Sequence, residues 1–376
     1  MATPARISKG LDDVVIGRSS ISWVGGETGD LVYRGFDVRD IVPGVPYESV
    51  VHLLLYGEPP SADPSPEVRR ELAARRAVPP AVERLVDAIP VGLPPLEALR
   101  TILSSLGNGA FGYPPTREQG YDLIARAPVL LARYVRRSRG LAPVPPRADL
   151  DHAANFLWML FGELPDARRV SALEGYLDLL ADHGMNASTF TLRVTISTQS
   201  DLISAATGAL GTLKGPLHGG APSRVSEMLD AIRTADRADA WIAERLARKE
   251  VLYGFGHRAY KTDDPRGLVL HQIARSVADP HRLALAESVE RSALDALRKA
   301  KPGARLFTNV EYYSAVVLEG IGIPPELFTP TFAVARTAGW TAHALEQAAD
   351  NRLIRPEVEY VGLPKGRRWP RPLPGR

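Results

Sequence analysis

From about Pro46 onward, apolar residues recur three and four positions apart, the spacing that gathers them on one face of an α-helix. The stretches PYESVVHLLLY, LEALRTILSSL, YDLIARAPVLLARYVRR, LDHAANFLWMLFG and VSALEGYLDLLADHG all follow it. Helix starts are marked separately. Ser65-Pro66-Glu67, Asp264-Pro265 and Thr329-Pro330 each offer a capping side chain followed by proline at a position where no backbone N–H is needed. The pattern predicts an all-α protein of roughly fifteen helices. Only the first forty residues read otherwise: ISWVGGETGDLVYRGF sets β-formers on either side of a Gly-Gly-x-x-Gly turn, which predicts a small hairpin. No repeat of fixed period is visible. Glycine- and proline-rich joints mark off a segment near Gly220–Gly322 as an insertion.

Composition narrows the function classes. With 376 residues, 45% of them apolar and 24% charged, the chain can bury a full core and is long enough for two domains. It has no cysteine, which excludes disulfides, thiolate zinc sites and a cysteine nucleophile and fits a reducing, cytoplasmic compartment. The start, MATPARISKGLDD, has charges and no apolar centre, so no secretory leader is expected. No window approaches the ~18 apolar residues of a membrane span. The formal charge of +3 comes from the tail Gly362–Arg376, which holds five bases and no acid; the remainder carries 41 bases against 43 acids. A nucleic-acid-binding face is therefore not expected.

The candidate chemistry begins with LFTNVEYYSAVVL, Leu306–Leu318, where Glu311 is the only charged residue. A carboxylate in so apolar a stretch faces a desolvation cost. Three of the eight histidines lie beside glycine in loops: His183 in ADHGMNAS, His218 in GPLHGGAPS and His257 in YGFGHRAYKTDDPR. Such loops suit a ligand-lined cleft. His52, His152, His271, His281 and His343 fall in or beside helical patterns and read as structural or surface residues. The three loop histidines are 35 and 39 residues apart, without H-E-x-x-H or a short His pair, so no metal site is expected. No G-x-S-x-G elbow supports serine hydrolysis. GNGAFG, Gly107–Gly112, matches a dinucleotide fingerprint but follows a helical stretch and precedes Tyr-Pro-Pro, so it reads as a helix-to-loop turn. Arg266, Arg336 and Arg355 accompany the histidines, and guanidinium forks match carboxylates, which points to a small polycarboxylate ligand.

The segments PLHGGAPSRVSEML, GFGHRAYKTDDPR, NVEYYSAVVLEGIGIPPELFTPTFAVARTAGWTAHALEQ and NRLIRPEVEYVG closely resemble citrate synthase, and the resemblance runs from about Gly10 to Gly362. It is similar to the short bacterial dimeric form shared with 2-methylcitrate synthase. The resemblance implies a large helical domain, residues 1–219 and 323–376, and a small one, 220–322, that closes over a cleft. It implies a homodimer in which Arg355 reaches the partner's site. By motif position His183, His257, Arg266 and Arg336 would hold oxaloacetate, His218 would stabilise the enol of acetyl-CoA, and His257 would also donate to the oxaloacetate carbonyl. The loop Val251, Leu252, Tyr253, Gly254, Phe255 and Gly256 would line the CoA pocket, with Lys261 on a phosphate. Acetyl-CoA is a co-substrate, and no metal or redox cofactor is implied.

One departure stands out. Most of the family reads NVD where this chain reads NVE, and that acid is the base that removes the acyl-CoA proton. Some citrate synthase-like paralogues share the glutamate. The extra methylene adds roughly 1.5 Å of reach, and Tyr312, Tyr313 and Ala315 are candidates for reshaping the pocket around it. The readings left open are citrate synthase, 2-methylcitrate synthase, and a weakly catalytic paralogue that senses oxaloacetate or CoA.

Overall fold

The computed structural model describes residues 7–12, 14–107, 109–219 and 221–363. The first six residues, Asn108 of the Gly107–Gly112 turn, Gly220 at the expected joint and the basic tail from residue 364 lie outside the described residues.

The predicted hairpin is present and gains a third short strand. β1 (Ser22–Gly25) pairs antiparallel with β2 (Asp30–Tyr33), which pairs with β3 (Phe36–Asp37). Sixteen α-helices follow among the described residues. The first eight are α1 (Val38–Ile41), α2 (Tyr47–Tyr56), α3 (Pro66–Arg75), α4 (Pro80–Ala88), α5 (Pro95–Ser104), α6 (Arg117–Ser138), α7 (His152–Phe161) and α8 (Ala167–Leu180). The rest are α9 (Ala187–Ser197), α10 (Leu202–Leu213), α11 (Ala221–Ile232), α12 (Ala238–Ala247), α13 (Pro265–Val277), α14 (Pro280–Ala300), α15 (Val310–Ile321) and α16 (Phe328–Ala349). None is long and apolar enough to cross a membrane.

Two of the three expected helix starts hold. Ser65 accepts from Val68 N–H at the head of α3, and Asp264 from Arg266 N–H at the head of α13. The third does not. A 3₁₀ turn, Pro325–Leu327, runs straight into α16, so the helix begins before Thr329, and that hydroxyl donates instead to the Gly219 carbonyl at 2.8 Å. The preceding turn supplies the lead-in that a side-chain cap would otherwise provide.

α16 organises the core. It packs against α2, α6, α8 and α9, and every residue from Thr331 to Ala344 is buried. A helix buried on all sides must find partners for each of its polar groups. It approaches the end of α8 so closely that Gly339 N–H donates to Ala181 O at 3.1 Å, and a Cβ at Gly339 would lie 2.2 Å from that oxygen. From the other side Tyr33 of β2 closes α8. Its hydroxyl lies 3.0, 3.2 and 2.9 Å from the carbonyls of Asp178, Leu179 and Asp182 and accepts from Asp182 N–H at 3.2 Å. Two of these carbonyls belong to the last turn of α8, where a helix runs out of its own donors. The hairpin turn is pressed just as tightly on the segment after His257: Gly26 O accepts from Lys261 N–H at 2.7 Å, and a Cβ at Gly26 would meet Ala259 O at 2.5 Å. The small sheet therefore braces both the His183 and the His257 segments.

Tyr33→Phe removes the buried hydroxyl that these carbonyls share and that accepts from Asp182 N–H, and is expected to destabilise the protein by about 1–3 kcal/mol. A denaturant midpoint equal to that of the wild type would contradict the capping role.

Candidate active site

His183 follows α8 directly, and its Nε2 lies 3.1 Å from the Tyr260 hydroxyl. Its ring meets that of His257 edge-on, with centroids 5.3 Å apart. Burial pushes the His183 pKa well below the ordinary value, helped by Arg266 and the neighbouring rings. His257 sits in the loop before α13, where its Nδ1 accepts from the backbone N–H groups of Ala259 (3.0 Å) and Tyr260 (3.2 Å). Backbone amides only donate, so Nδ1 carries no proton and Nε2–H is the donor that remains. Burial, then Arg266, lowers its pKa to about 4.

His218 closes the turn after α10. Its Nε2 faces the Ser188 backbone N–H at 3.3 Å and the Ser188 hydroxyl at 2.8 Å. The amide again fixes Nε2 as acceptor and leaves the proton on Nδ1. Burial, then Arg336, brings the pKa to about 4. All three imidazoles are neutral at pH 7, two of them with a defined N–H donor.

The two arginines are held in opposite ways. Arg266, at the head of α13, is gripped by its own cap: Asp264 Oδ1 and Oδ2 accept from Nε (3.0 Å) and Nη2 (2.8 Å). Burial works against the Arg266 charge, and Asp264 more than offsets it, so the pKa is raised. The backbone N–H groups at that helix start are thus shared with a carboxylate already in place. Asp264 Oδ2 also accepts from Val310 N–H at 3.1 Å, tying α13 to α15. Arg336, 1% exposed, donates Nε–H to Leu180 O at 2.7 Å, while Nη1 and Nη2 are buried without a partner. Its guanidinium lies 4.7 Å above the Phe332 ring, whose edge meets His218. Burial lowers the Arg336 pKa to about 10.

Glu311 lies in the first turn of α15, behind the cap Asn309, whose Oδ1 accepts Glu311 N–H at 3.0 Å. Desolvation raises its pKa to about 7, against the pull of Arg266 and of Asn309 and with a push from Asp264. At neutral pH this carboxyl is divided between acid and base. Tyr312 and Tyr313 are buried beside it, and the Tyr312 ring packs on Phe255 of the loop before His257, with centroids 5.2 Å apart. Their hydroxyls turn away to Ala286 O (2.7 Å) and to Glu290 (2.5 Å), and Ala315 is buried one turn further along.

The loop from Val251 to Gly256 leads into His257 and is zipped to the segment before Glu311. Gly256 N–H donates to Phe307 O (2.7 Å), Asn309 N–H to Gly254 O (2.9 Å), and Phe255 bridges Thr308. Leu252 is buried and Val251 is 70% exposed; Tyr253 and Phe255 pack partly against the core. Lys261 is exposed, its ammonium on Arg258 O at 3.2 Å. The structure thus brings Arg266, His257, Arg336 and His218 within electrostatic reach of His183, and Glu311 within reach of Arg266. Arg355 stands apart, exposed on the segment after α16. Among the described residues no three His, Asp or Glu side chains are placed to share a metal ion.

Sequence reasoning missed Asp182, Ser188, Asp264 and Asn309, all of which fix the groups named above. Two had a legible signal, an acid or amide at a helix start: Asp264 in DDPR, read as a cap but not as a partner of Arg266, and Asn309 in TNVE. His343 was read as an ordinary residue and is fully buried, its Nε2 3.2 Å from Asp182.

A family model described as citrate synthase, C-terminal domain, matches residues 10–357. A citrate synthase of Deinococcus radiodurans is 39% identical over 368 residues, 95% of this chain and 96% of that one. A 2-methylcitrate synthase 2 of Corynebacterium glutamicum is 38% identical over 375 residues, 96% of each. The citrate synthase structure from Thermotoga maritima superposes with a TM-score of 0.87 at 37% identity, covering 97% of this chain and 98% of that one. The Thermoplasma acidophilum enzyme in its ternary complex with carboxymethyl coenzyme A and oxaloacetate gives 0.90 at 29% identity, over 97% and 99%. With buried arginines, neutral loop imidazoles and a half-ionised carboxyl on this scaffold, the chain belongs to the citrate synthase family, enzymes that transfer acyl groups by condensation.

Proposed function

We propose that the protein condenses acetyl-CoA with oxaloacetate and hydrolyses the resulting thioester to citrate and CoA. The observation that carries this reading is Glu311, a carboxyl raised to about 7 within reach of Arg266, the same arginine that acts on the neutral imidazoles of His183 and His257. The thioester methyl is a very weak acid, and a desolvated carboxylate of raised basicity suits its deprotonation. His218 Nδ1–H donates to the thioester oxygen as charge develops there. The enol carbon attacks the oxaloacetate keto carbon while His257 Nε2–H meets the new alkoxide, a base strong enough to draw a proton from a neutral ring. The open Nη pair of Arg336 and the remaining edge of Arg266 take the oxaloacetate carboxylates, with His183 between them.

The exposed Arg355 joins from the second subunit of a homodimer. The 251–256 loop and Lys261 carry CoA, and segment 220–322 closes over both substrates, keeping water out until hydrolysis. No metal or redox cofactor takes part. The other reading is propionyl-CoA as donor, favoured by relatives that carry either name at similar identity. One methylene discriminates by only about 1–3 kcal/mol.

Free-thiol release from both acyl-CoAs decides between them. A higher kcat/KM for acetyl-CoA is expected, and a clear propionyl preference would reverse the assignment. Oxaloacetate binding with no thiol release from either donor would leave a sensor and no enzyme.

Condensation requires ionised Glu311, so kcat/KM is expected to rise with pH and level off above about 7. A flat profile from pH 5.5 to 8 would remove Glu311 as the base. Glu311→Gln is expected to lower kcat by about 10³-fold while the oxaloacetate Kd stays within about threefold.

The same substitution also reports on stability. The folded pKa of Glu311 lies above the ordinary glutamate value of 4.5, so between pH 4.5 and 7 the native state holds a proton that the unfolded chain has lost. Stability therefore falls as pH rises through that window, and the cost is complete above pH 7. Glu311→Gln is expected to be more stable than the wild type at pH 8 by about 1–3 kcal/mol and equal to it below pH 4.5. Parallel stability profiles for the two proteins would show that Glu311 is not desolvated.

A further inference from the structure

Arg336 presents two Nη groups with no partner although the guanidinium is 1% exposed. An acid stands close by. Asp182 is wholly buried and lies two residues beyond Leu180, whose carbonyl Arg336 already holds. An arginine and a buried carboxylate so near would ordinarily close into a bidentate pair, as Arg266 and Asp264 do. Arg336 and Asp182 make no such pair. Asp182 Oδ2 is occupied by the Ser22 hydroxyl and, at 2.9 Å, by Gly184 N–H. Oδ1 faces His343 Nε2 at 3.2 Å, slightly off a hydrogen-bond line.

The His343 ring is itself fixed. Nδ1 accepts from Arg193 Nε (3.0 Å) and Nη2 (2.7 Å), and arginine only donates, so the ring proton is on Nε2, toward Asp182. Arg193 is locked in turn by Glu346 and by Gln347 Oε1 (3.3 Å), one turn along α16. Arg336, Gly339 and His343 fall on one stripe of α16 facing the 180–184 segment. At Gly339 a Cβ would lie 2.6 Å from Asp182 Oδ1, so glycine leaves room for the carboxylate to turn toward His343. Held there, Asp182 still acts on Arg336 through space: it raises the arginine pKa against burial, and its own is held at about 2, where burial is outweighed by His343, Arg336 and Ser22.

We propose that His343 and Ser22 withhold the Asp182 carboxylate from Arg336, so that the guanidinium keeps its charge balanced and its two Nη groups open for a substrate carboxylate. His343 is then a positioning residue for substrate affinity, and the inference rests on the reading that this cluster binds oxaloacetate. Without the His343 contact, Asp182 can swing onto Arg336 and compete with the ligand.

The test compares wild type, His343→Leu, His343→Gln and the double variant His343→Leu/Asp182→Asn, with oxaloacetate binding measured by calorimetry and KM measured for both substrates. His343→Leu is expected to weaken oxaloacetate by about tenfold or more, with acyl-CoA KM within about twofold. His343→Gln, whose amide can accept from Arg193 and donate to Asp182, is expected to stay near wild type. The double variant, which removes the competing charge, is expected to recover most of the lost affinity, an outcome a packing defect would not give. Should His343→Leu fail to fold, Ser22→Ala, at a half-buried position, releases the other carboxylate oxygen and is expected to weaken oxaloacetate in the same selective way; unchanged affinity would overturn the proposal. A double variant no tighter than the single, or His343→Leu binding as tightly as wild type, would overturn the inference alone. Wild-type protein that does not bind oxaloacetate would overturn the functional reading and this inference with it.

Discussion

The site depends on keeping charge dry without letting it neutralise itself. Arg266, Arg336, Asp182 and Asp264 are each at most 3% exposed, and ions removed from water seek the nearest opposite charge. The fold gives the two arginines different answers. Asp264 closes on Arg266 and spends its remaining capacity on the backbone of α13 and α15, which fixes one charge as part of the frame. Asp182 is tied elsewhere, and Arg336 is left open. One buried arginine is thereby structural in its bonding and the other is available.

That difference is imposed by the scaffold around α16. A helix buried along most of its length has no water to satisfy its polar side chains, so each must be met by protein or by ligand. Thr331, Thr337 and Thr341 turn back to carbonyls of their own helix, and His343 is met by Arg193. Arg336 keeps two buried donors with no hydrogen-bond partner. The end of α8 is clamped between Tyr33 and Gly339, which holds the segment bearing Asp182 and His183 at a fixed distance from it. The N-terminal sheet is small, but without it neither the His183 nor the His257 segment would have a rigid back wall.

Much of this was legible in the chain. Helical periodicity placed α2, α5, α6, α7 and α8, and proline behind a capping residue placed the heads of α3 and α13. The glycine-flanked histidines and the isolated Glu311 stood out because loop glycines and a solitary acid are each costly unless a site needs them. What stayed hidden was long-range pairing. His343 sits in an unremarkable helical stretch, and only the fold sets it against Asp182, 161 positions earlier. The start of α16 was misplaced because the Thr329 hydroxyl serves a carbonyl more than a hundred residues away, which no local pattern reports.

The pKa of Glu311 makes the order of binding matter. Arg266 is the main group pulling that pKa down from where burial alone would set it. A ligand carboxylate arriving on Arg266 and Arg336 cancels part of the positive field that favours the ionised acid. Glu311 then becomes a stronger base, at the expense of the fraction that is ionised near neutral pH. By linkage, the same ligand must draw a fraction of a proton onto the protein as it binds, and must bind more weakly as pH rises through 7. In the reaction proposed above, a carbon acid as weak as a thioester methyl gains from the stronger base, so the electrostatics favour filling the arginine pocket before deprotonation. The unpaired Nη groups of Arg336 leave a place for a carboxylate, and one that also reaches Arg266 changes the field in which Glu311 titrates.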